Sequence, residues 1–330
     1  MVLTLLIIMS NKAALIFGIS GQDGSLLAKF LLSKGYRVIG QTRSLKNSNF
    51  GNLKKLGILN SVEIVEINKF EVDSLALFLE GIDPTEIYNL SGQSSVGLSF
   101  KAPNETLISQ LNFVNLLLEA IYKTGCKAKL FNAGSGECFG DTSAGIATES
   151  SPFSPTNPYA VAKCGAFWTV RNYRDYYGIN ASTGILFNHE SSLRPSTFVT
   201  RKIVRGAINI SQGSPNKLCL GNLSVKRDWG LAGEYVVAMW EMLQQDEPDD
   251  YILSTGVARS LEEFVAIAFK VLNLDWREHV VTDLSLHRPS DAPMNHGDPA
   301  KAKVKFGWSS TGSLEDVVEQ LISEERDSAC

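Results

Sequence analysis

The segment running from Ala13 to Ser44 constrains this 330-residue chain more than any other. It reads AALIFG, then ISGQDGSLLAKFLLSKG, then YRVIGQTRS: a short apolar strand, a glycine turn, a helical pattern and a second short strand. Leu26, Leu27, Phe30 and Leu31 recur at helical spacing, and Gly35 is placed to end the helix. This is a βαβ opening. Gly18, Gly21 and Gly24 fall in the strand-to-helix turn, where missing β-carbons let a pyrophosphate approach the backbone. The helix N-terminus beyond them offers oriented N–H groups and a partial positive charge. A GxxGxxG string alone is a weak signal, but between a strand and a helix it predicts a dinucleotide site.

Where an NAD site would usually place an acidic residue after the second strand, the chain reads QTRSLKNSN. Arg43, helped by Lys46, points instead to a 2′-phosphate and hence to NADP. The alternation continues with strand candidates at 61–67, 86–92, 127–136 and 181–188 and helical stretches near 71–79, 104–124 and 158–176. The expected fold is α/β, a Rossmann-type doubly wound parallel sheet over 12–190. Beyond about 190 the loops are rich in Ser, Asn, Gly and Pro, with helical segments near 198–211, 230–245 and 260–272 and few strong strands. Residues 191–330 therefore read as a smaller, mixed, substrate-holding lobe, with some exchange of chain between the two.

Composition narrows the class. Apolar residues at 44% and charged ones at 20% are those of an ordinary globular chain, and the net charge of −4 disfavours bulk attraction to nucleic acid. The five cysteines, at 126, 138, 164, 219 and 330, are scattered and form no CxxC pair, which suits a reducing cytoplasm. The histidines at 189, 279, 287 and 296 include no HExxH pair, and no catalytic metal is expected. The opening MVLTLLIIM lacks a basic flank and is far too short to span a bilayer, so no membrane association is expected. The expectation is that residues 1–8 are a non-structural extension and Met9 the natural start.

Two further stretches carry chemistry. In PYAVAKCGAFWTV, Pro158 suits a helix start and puts Tyr159 and Lys163 four apart on one face. A nearby ammonium favours the phenolate and lowers a tyrosine's pKa, which would equip Tyr159 for proton transfer. In NAGSGECFG, at the expected carboxyl end of a central strand, Ser135 and Glu137 reach the crevice where such sheets bind ligands. Ser135 can bond a sugar hydroxyl, and Glu137 can abstract a carbon-bound proton.

With GxSGQDGSLL, YNLSGQSSVGLSF, GSGECFG, PYAVAK, GILFNHESSLRP, FVTRKI, GNLSVKRDWG and HRPSDAP, the chain resembles the GDP-mannose 4,6-dehydratases, extended short-chain dehydrogenases/reductases. The resemblance runs from about Lys12 to Ile322. It implies that Tyr159 takes the 4-hydroxyl proton as hydride leaves sugar C4, that Lys163 positions the cofactor ribose, that Ser135 assists at the 4-oxygen and that Glu137 removes the C5 proton. Water then leaves from C6 and the hydride returns there. It further implies cofactor contacts at Gly18, Ser20, Gly21, Gln22, Asp23, Gly24, Arg43, Asn68, Lys69, Leu90, Gln93, Ser94, Lys163, His189 and Arg194. Asn188 and Lys202 fall near the substrate nucleotide, and Arg227 and Arg288 are expected to clamp its diphosphate, a role suited to a bidentate guanidinium.

The sequence departs from the family pattern at a few positions. Ser44 replaces the second of two arginines in a loop that in relatives reaches a neighbouring subunit's cofactor, so a homo-oligomer is expected without a choice between dimer and tetramer. Asn68 stands where an acidic residue faces the adenine. SGE replaces TSE at Ser135–Glu137, as in the related GDP-4-keto-6-deoxy-mannose reductases, although a reductase needs no base at C5. A reductase, a GDP-heptose 4,6-dehydratase and a catalytically silent nucleotide-sugar binding protein remain the alternatives.

Overall fold

The computed structural model describes residues 12–68 and 70–327. Residues 1–8, the choice between Met1 and Met9, and Lys69 lie outside them. The strands in chain order are β1 Ala13–Phe17, β2 Arg37–Thr42, β3 Glu63–Glu66, β4 Glu86–Asn89, β5 Lys129–Ala133, β6 Ala181–Leu186 and β7 Asn188–Glu190. They are followed by β8 Leu218–Leu220, β9 Lys226–Leu231, β10 Tyr251–Leu253, β11 Ala258–Ser260, β12 Val280–Thr282 and β13 Met294–Asn295.

Seven of these form one parallel sheet in the order β10-β6-β5-β4-β1-β2-β3. β1 is buried along its whole length because helices cover both faces, which is why AALIF is continuously apolar rather than alternating. Its Ala14 and Ile16 face the helices Gln22–Ser33 and Ala232–Gln244, packing with Leu27, Leu31, Val236 and Met239. Ala13, Leu15 and Phe17 face the opposite layer, packing with Leu75, Leu117, Leu118 and Val170 of the helices Val72–Ile82, Phe113–Thr124 and Pro158–Tyr177. The chain steps outward from β1 through β2 to β3, then crosses back to place β4 on the other side of β1. That reversal opens a crevice at the carboxyl ends of β1 and β4.

Two features differ from the sequence expectation in detail. The stretch expected as one helix near 104–124 is Pro103–Leu107, a π-turn at Ile108–Asn112, and Phe113–Thr124. Beyond residue 190 there are more strands than expected, but none exceeds the six residues of β9. β9 pairs antiparallel with β11 and parallel with β13 and β7, while β12 pairs with β8. A separate apolar cluster, with Ile203, Val204, Phe264, Val265, Val317 and Leu321, supports this region. β10 and the helix Ala232–Gln244 come from beyond residue 190 yet join the large sheet and one of its helix layers. Among the described residues no helix is long and apolar enough to cross a membrane.

Candidate active site

A cleft of about 1260 Å³ opens beside Gly18, Leu90, Ala133 and Leu186, at the carboxyl ends of β1, β4, β5 and β6, and runs to Arg227 and Trp229 on β9. Gly18 has φ +87°, and a Cβ there would lie 2.5 Å from the Leu90 carbonyl oxygen. A Cβ on Gly24 would lie 2.2 Å from the Gly18 oxygen. Both glycines are demanded by the close turn itself. Gly21 is the N-cap of Gln22–Ser33, and no side chain caps that terminus, so its first amides fit the phosphates of a dinucleotide.

Ser20, Gln22 and Asp23 line the same end. Asp23 Oδ2 is 2.9 Å from His189 Nε2, whose Nδ1 is 2.7 Å from the Phe187 carbonyl oxygen. The imidazole stacks on Tyr235 with centroids 4.7 Å apart. Burial opposes the charged ring, but the Asp23 carboxylate outweighs it and His189 titrates above its ordinary value; Asp23, also opposed by burial, is held below its own by His189. Gln22 Nε2 donates to Asp23 Oδ1 at 2.9 Å and to the His189 carbonyl at 3.1 Å.

Leu90, Gln93 and Ser94 form a second wall, with the Gln93 carbonyl held by Gln110 Nε2 at 2.7 Å. Arg43 is in the cleft wall and exposed. Lys46 and Asn68 are exposed and lie outside that wall, and Lys69 lies outside the described residues. Asn68 therefore does not join the other expected cofactor positions.

Ser135, Glu137, Tyr159 and Lys163 converge at the centre of the cleft. Ser135 caps the one-turn helix Gly136–Phe139, its Oγ accepting from the Glu137 amide at 3.2 Å. Tyr159 and Lys163 lie in the first turns of Pro158–Tyr177, with Pro158 starting the helix and the Asn157 side chain capping it. Lys163 Nζ donates to the Ala133 carbonyl at 2.6 Å and lies 5.8 Å from the Tyr159 ring centroid. The expected lowering of the phenol by this ammonium is not what the structure shows. Burial dominates and pushes Tyr159 above its ordinary range, although a hydrogen bond from Ser135 works the other way. Burial also brings Lys163 down to about 8.

At the far end, Asn188 and Lys202 line the cleft, and Lys202 Nζ donates to the Cys219 carbonyl at 2.6 Å. Arg227 donates to the Lys226 and Ala292 carbonyls at 2.9 and 2.8 Å and to Asp291 at 2.5 Å. Arg288 lies 3.6 Å from the same Asp291 oxygen, so the two arginines meet on one carboxylate. Arg194 donates to the His189 carbonyl at 2.8 Å and lies over the Phe198 ring, while its buried Nε has no partner among the described residues. Asp291, Asn157 and Gln110 are additions the sequence reading did not single out. Asn157 could have been found as the cap directly before Pro158. Gln110 carries no comparable signal. Among the described residues no group of three or more His, Cys, Asp or Glu side chains is arranged to hold a metal ion.

Residues 15–321 match the family described as GDP-mannose 4,6 dehydratase. GDP-mannose 4,6 dehydratase 1 of Arabidopsis thaliana is 41% identical, the alignment covering 97% of this chain and 91% of that protein. GDP-mannose 4,6-dehydratase of Vibrio cholerae is 38% identical over 97% of this chain and 95% of its own length, and the Homo sapiens enzyme 37% identical over 94% and 91%. Among solved structures, dTDP-glucose 4,6-dehydratase of Streptomyces venezuelae with NAD bound superposes with a TM-score of 0.84 at 21% identity, covering 95% of this chain and 97% of that one. UDP-glucose 4-epimerase of Thermotoga maritima gives 0.85 at 19%, covering 96% and 100%. These two likenesses bear on the fold. The sequence matches bear on the family: the chain belongs to the GDP-mannose 4,6-dehydratases.

Proposed function

We propose that the chain converts GDP-mannose to GDP-4-keto-6-deoxy-mannose with NADP as its recycled cofactor. The observation that carries this reading is the convergence of Glu137 with Ser135, Tyr159 and Lys163 in one cleft. Oxidation and reduction at C4 need only the last three; a carboxylate beside them suits removal of a proton from C5. The three relatives described above carry the dehydratase name, which does not favour a reductase, a heptose enzyme or a silent binding protein.

The glycine turn and the uncapped start of Gln22–Ser33 hold the pyrophosphate, and Lys163 holds the ribose. A nicotinamide dinucleotide bound there would supply the acceptor for hydride from C4 and the donor that returns it to C6, and its positive ring would favour the phenolate of Tyr159. Tyr159 then takes the 4-hydroxyl proton while Ser135 bonds the 4-oxygen. The resulting ketone acidifies C5–H; Glu137 removes that proton and passes it to the C6 hydroxyl, which leaves as water, and a proton from solvent returns to C5 as hydride reaches C6. Asn188, Lys202, Arg227 and Arg288 hold the nucleotide and diphosphate, so residues 12–190 serve mainly the cofactor and 191–330 mainly the sugar nucleotide. The preference for NADP rests on Arg43: the cleft residues just after β2 are Arg43 and Ser48, with no carboxylate between them in the wall. The chain is further proposed to work as a homo-oligomer.

Purified protein incubated with GDP-mannose, without added NADPH, tests the reaction by mass spectrometry. Loss of one water with no net change in cofactor is expected. Binding without turnover would overturn it, as would turnover seen only in a parallel incubation with NADPH and the keto-sugar. The nucleotide released on denaturing the protein, identified by mass, decides between NADP and NAD.

A further inference from the structure

The residues that divide the proposed chemistry stand on different elements, Glu137 on Gly136–Phe139 and the Tyr159–Lys163 pair on Pro158–Tyr177. Asn157 sits between them, 5% exposed. Its Oδ1 accepts from the Ala160 amide at 2.8 Å, and its Nδ2 donates to Glu137 Oε2 at 2.9 Å. One planar amide thus fastens the helix start on one side and the carboxylate on the other. Among the described residues no hydrogen bond falls on Glu137 Oε1.

Capping by itself does not select asparagine. Asp, Ser and Asn cap about equally well, but an ionised Asp has no proton to donate and a Ser hydroxyl is shorter than the Asn amide. Asn combines a capping acceptor with an amide donor. We infer that Asn157 is a positioning residue for the C5 proton transfer, fixing one oxygen of Glu137 against the Tyr159–Lys163 helix so that the other meets the substrate. This rests on the dehydratase reading and adds a member to its machinery.

The backbone around Glu137 is held independently of Asn157. Cys138 Sγ donates to the Ala160 carbonyl and Cys164 Sγ to the Cys138 carbonyl, each at 3.9 Å. Asn295 on β13 donates to the Gly136 and Gly140 carbonyls, both at 2.9 Å. Changing Asn157 therefore frees the carboxylate without releasing its turn. The titratable groups that interact with Glu137 are Cys138 on its own turn and Tyr159 on the helix; Lys163 and Cys164 of that helix act on Cys138, and β13 presents the uncharged Asn295.

Two capping variants supply the test. Asn157→Ser drops the donor, and Asn157→Asp replaces it with a second carboxylate. In rapid mixing with GDP-mannose, nicotinamide absorbance reports C4 oxidation, and product mass with deuterium uptake at C5 reports elimination. Both variants are expected to oxidise C4 within about threefold of the parent and to eliminate water about 10- to 100-fold more slowly. In Asn157→Asp the acid limb of elimination moves to higher pH, because neighbouring carboxylates resist ionising together; in Asn157→Ser the loss is spread evenly over pH. Elimination by Asn157→Ser within about twofold of the parent, or oxidation falling in step with elimination, would overturn the proposal. A parent enzyme that does neither step overturns the dehydratase reading instead. The coupling is then judged without substrate by carboxyl-carbon NMR of Glu137, assigned by its loss in Glu137→Gln. The Glu137 midpoint rises in Asn157→Asp if the contact exists, and an unmoved midpoint rules it out.

Discussion

Glu137 and Tyr159 share a cleft, but in the proposed reaction they serve different protons, and this separation can be measured. Glu137→Gln keeps the size and removes the base, so C4 oxidation should persist while water loss falls by about 10²–10⁴-fold. Reduced cofactor accumulating without dehydrated sugar is the expected signature; water loss near the parent rate would contradict the assignment. A second residue-scale prediction concerns His189 and Asp23. The folded pKa of His189 is raised above 6.5, so its contribution is complete below 6.5 and fades as pH rises through the folded value. Asp23 is held below 3.8, so its contribution is complete above 3.8 and fades on further acidification. His189→Gln should accordingly cost about 1–3 kcal/mol in urea unfolding between those two values, and less at higher pH. A cost that grows with pH would refute the ion-pair account. That Ser135, Glu137, Tyr159 and Lys163 would share one cleft was legible, because motif and spacing put the first two at a strand end and the other two one turn apart on a helix. The titration of Tyr159 was not, since burial there outweighs the neighbour one turn away. Nor was the convergence of Arg227 and Arg288 on Asp291, which depends on how the chain from Arg288 to Asp291 packs against β9.

Elements show the same division. Six of the seven strands of the parallel sheet could be read, the inner ones because burial on both faces produces unbroken apolar runs such as AALIF, but the three-residue β10 was too short to show such a run. Helix boundaries followed from Pro158 at the start of one helix and Gly35 after the end of another, while the Asn157 cap before Pro158 and Gly178 after Tyr177 were signals of the same kind left unused. The π-turn at Ile108–Asn112 was hidden, because one inserted residue leaves the apolar spacing on either side intact. Its consequence is functional. Ile108, Ser109 and Gln110 line the cleft, and Gln110, 3% exposed, holds the Gln93 carbonyl. Gln110→Ala should loosen the Leu90–Ser95 wall and weaken binding of the nicotinamide dinucleotide by about 5- to 30-fold, as expected for the loss of one buried hydrogen bond. Isothermal titration with NADP and with NAD checks this, and unchanged affinity for both would remove the wall from the binding site.

At the scale of the whole molecule, net charge by sequence block is +7 for 1–60, −6 for 61–190, +7 for 191–227 and −12 for 228–330. The blocks suggest positive charge gathered for phosphorylated ligands, but folding answers part of it with acids from elsewhere in the sequence. Arg201 and Arg205 both reach Glu325, and Arg227 reaches Asp291. What remains for anions is local, in the helix N-terminus and the cleft arginines, rather than a field over the surface. The outer face of the helix layer carries a different signal. Phe113–Thr124 and Pro158–Tyr177 pack side by side, and their outward surfaces expose Tyr122 at 51%, Val161 at 49% and Trp168 at 55%. Exposed apolar groups on two adjacent helices fit a second copy of the chain, applied about a two-fold axis so that the same helices meet themselves. The parent protein should then sediment as a multiple of 36.1 kDa. Val161→Arg combined with Trp168→Glu should shift it to the single-chain mass while leaving circular dichroism largely unchanged, because both side chains are about half exposed and Trp168 meets the interior at the rings of Phe153 and Phe167. A parent that sediments at the single-chain mass would remove the case for this face, and a variant that stays associated would move the contact elsewhere on the surface.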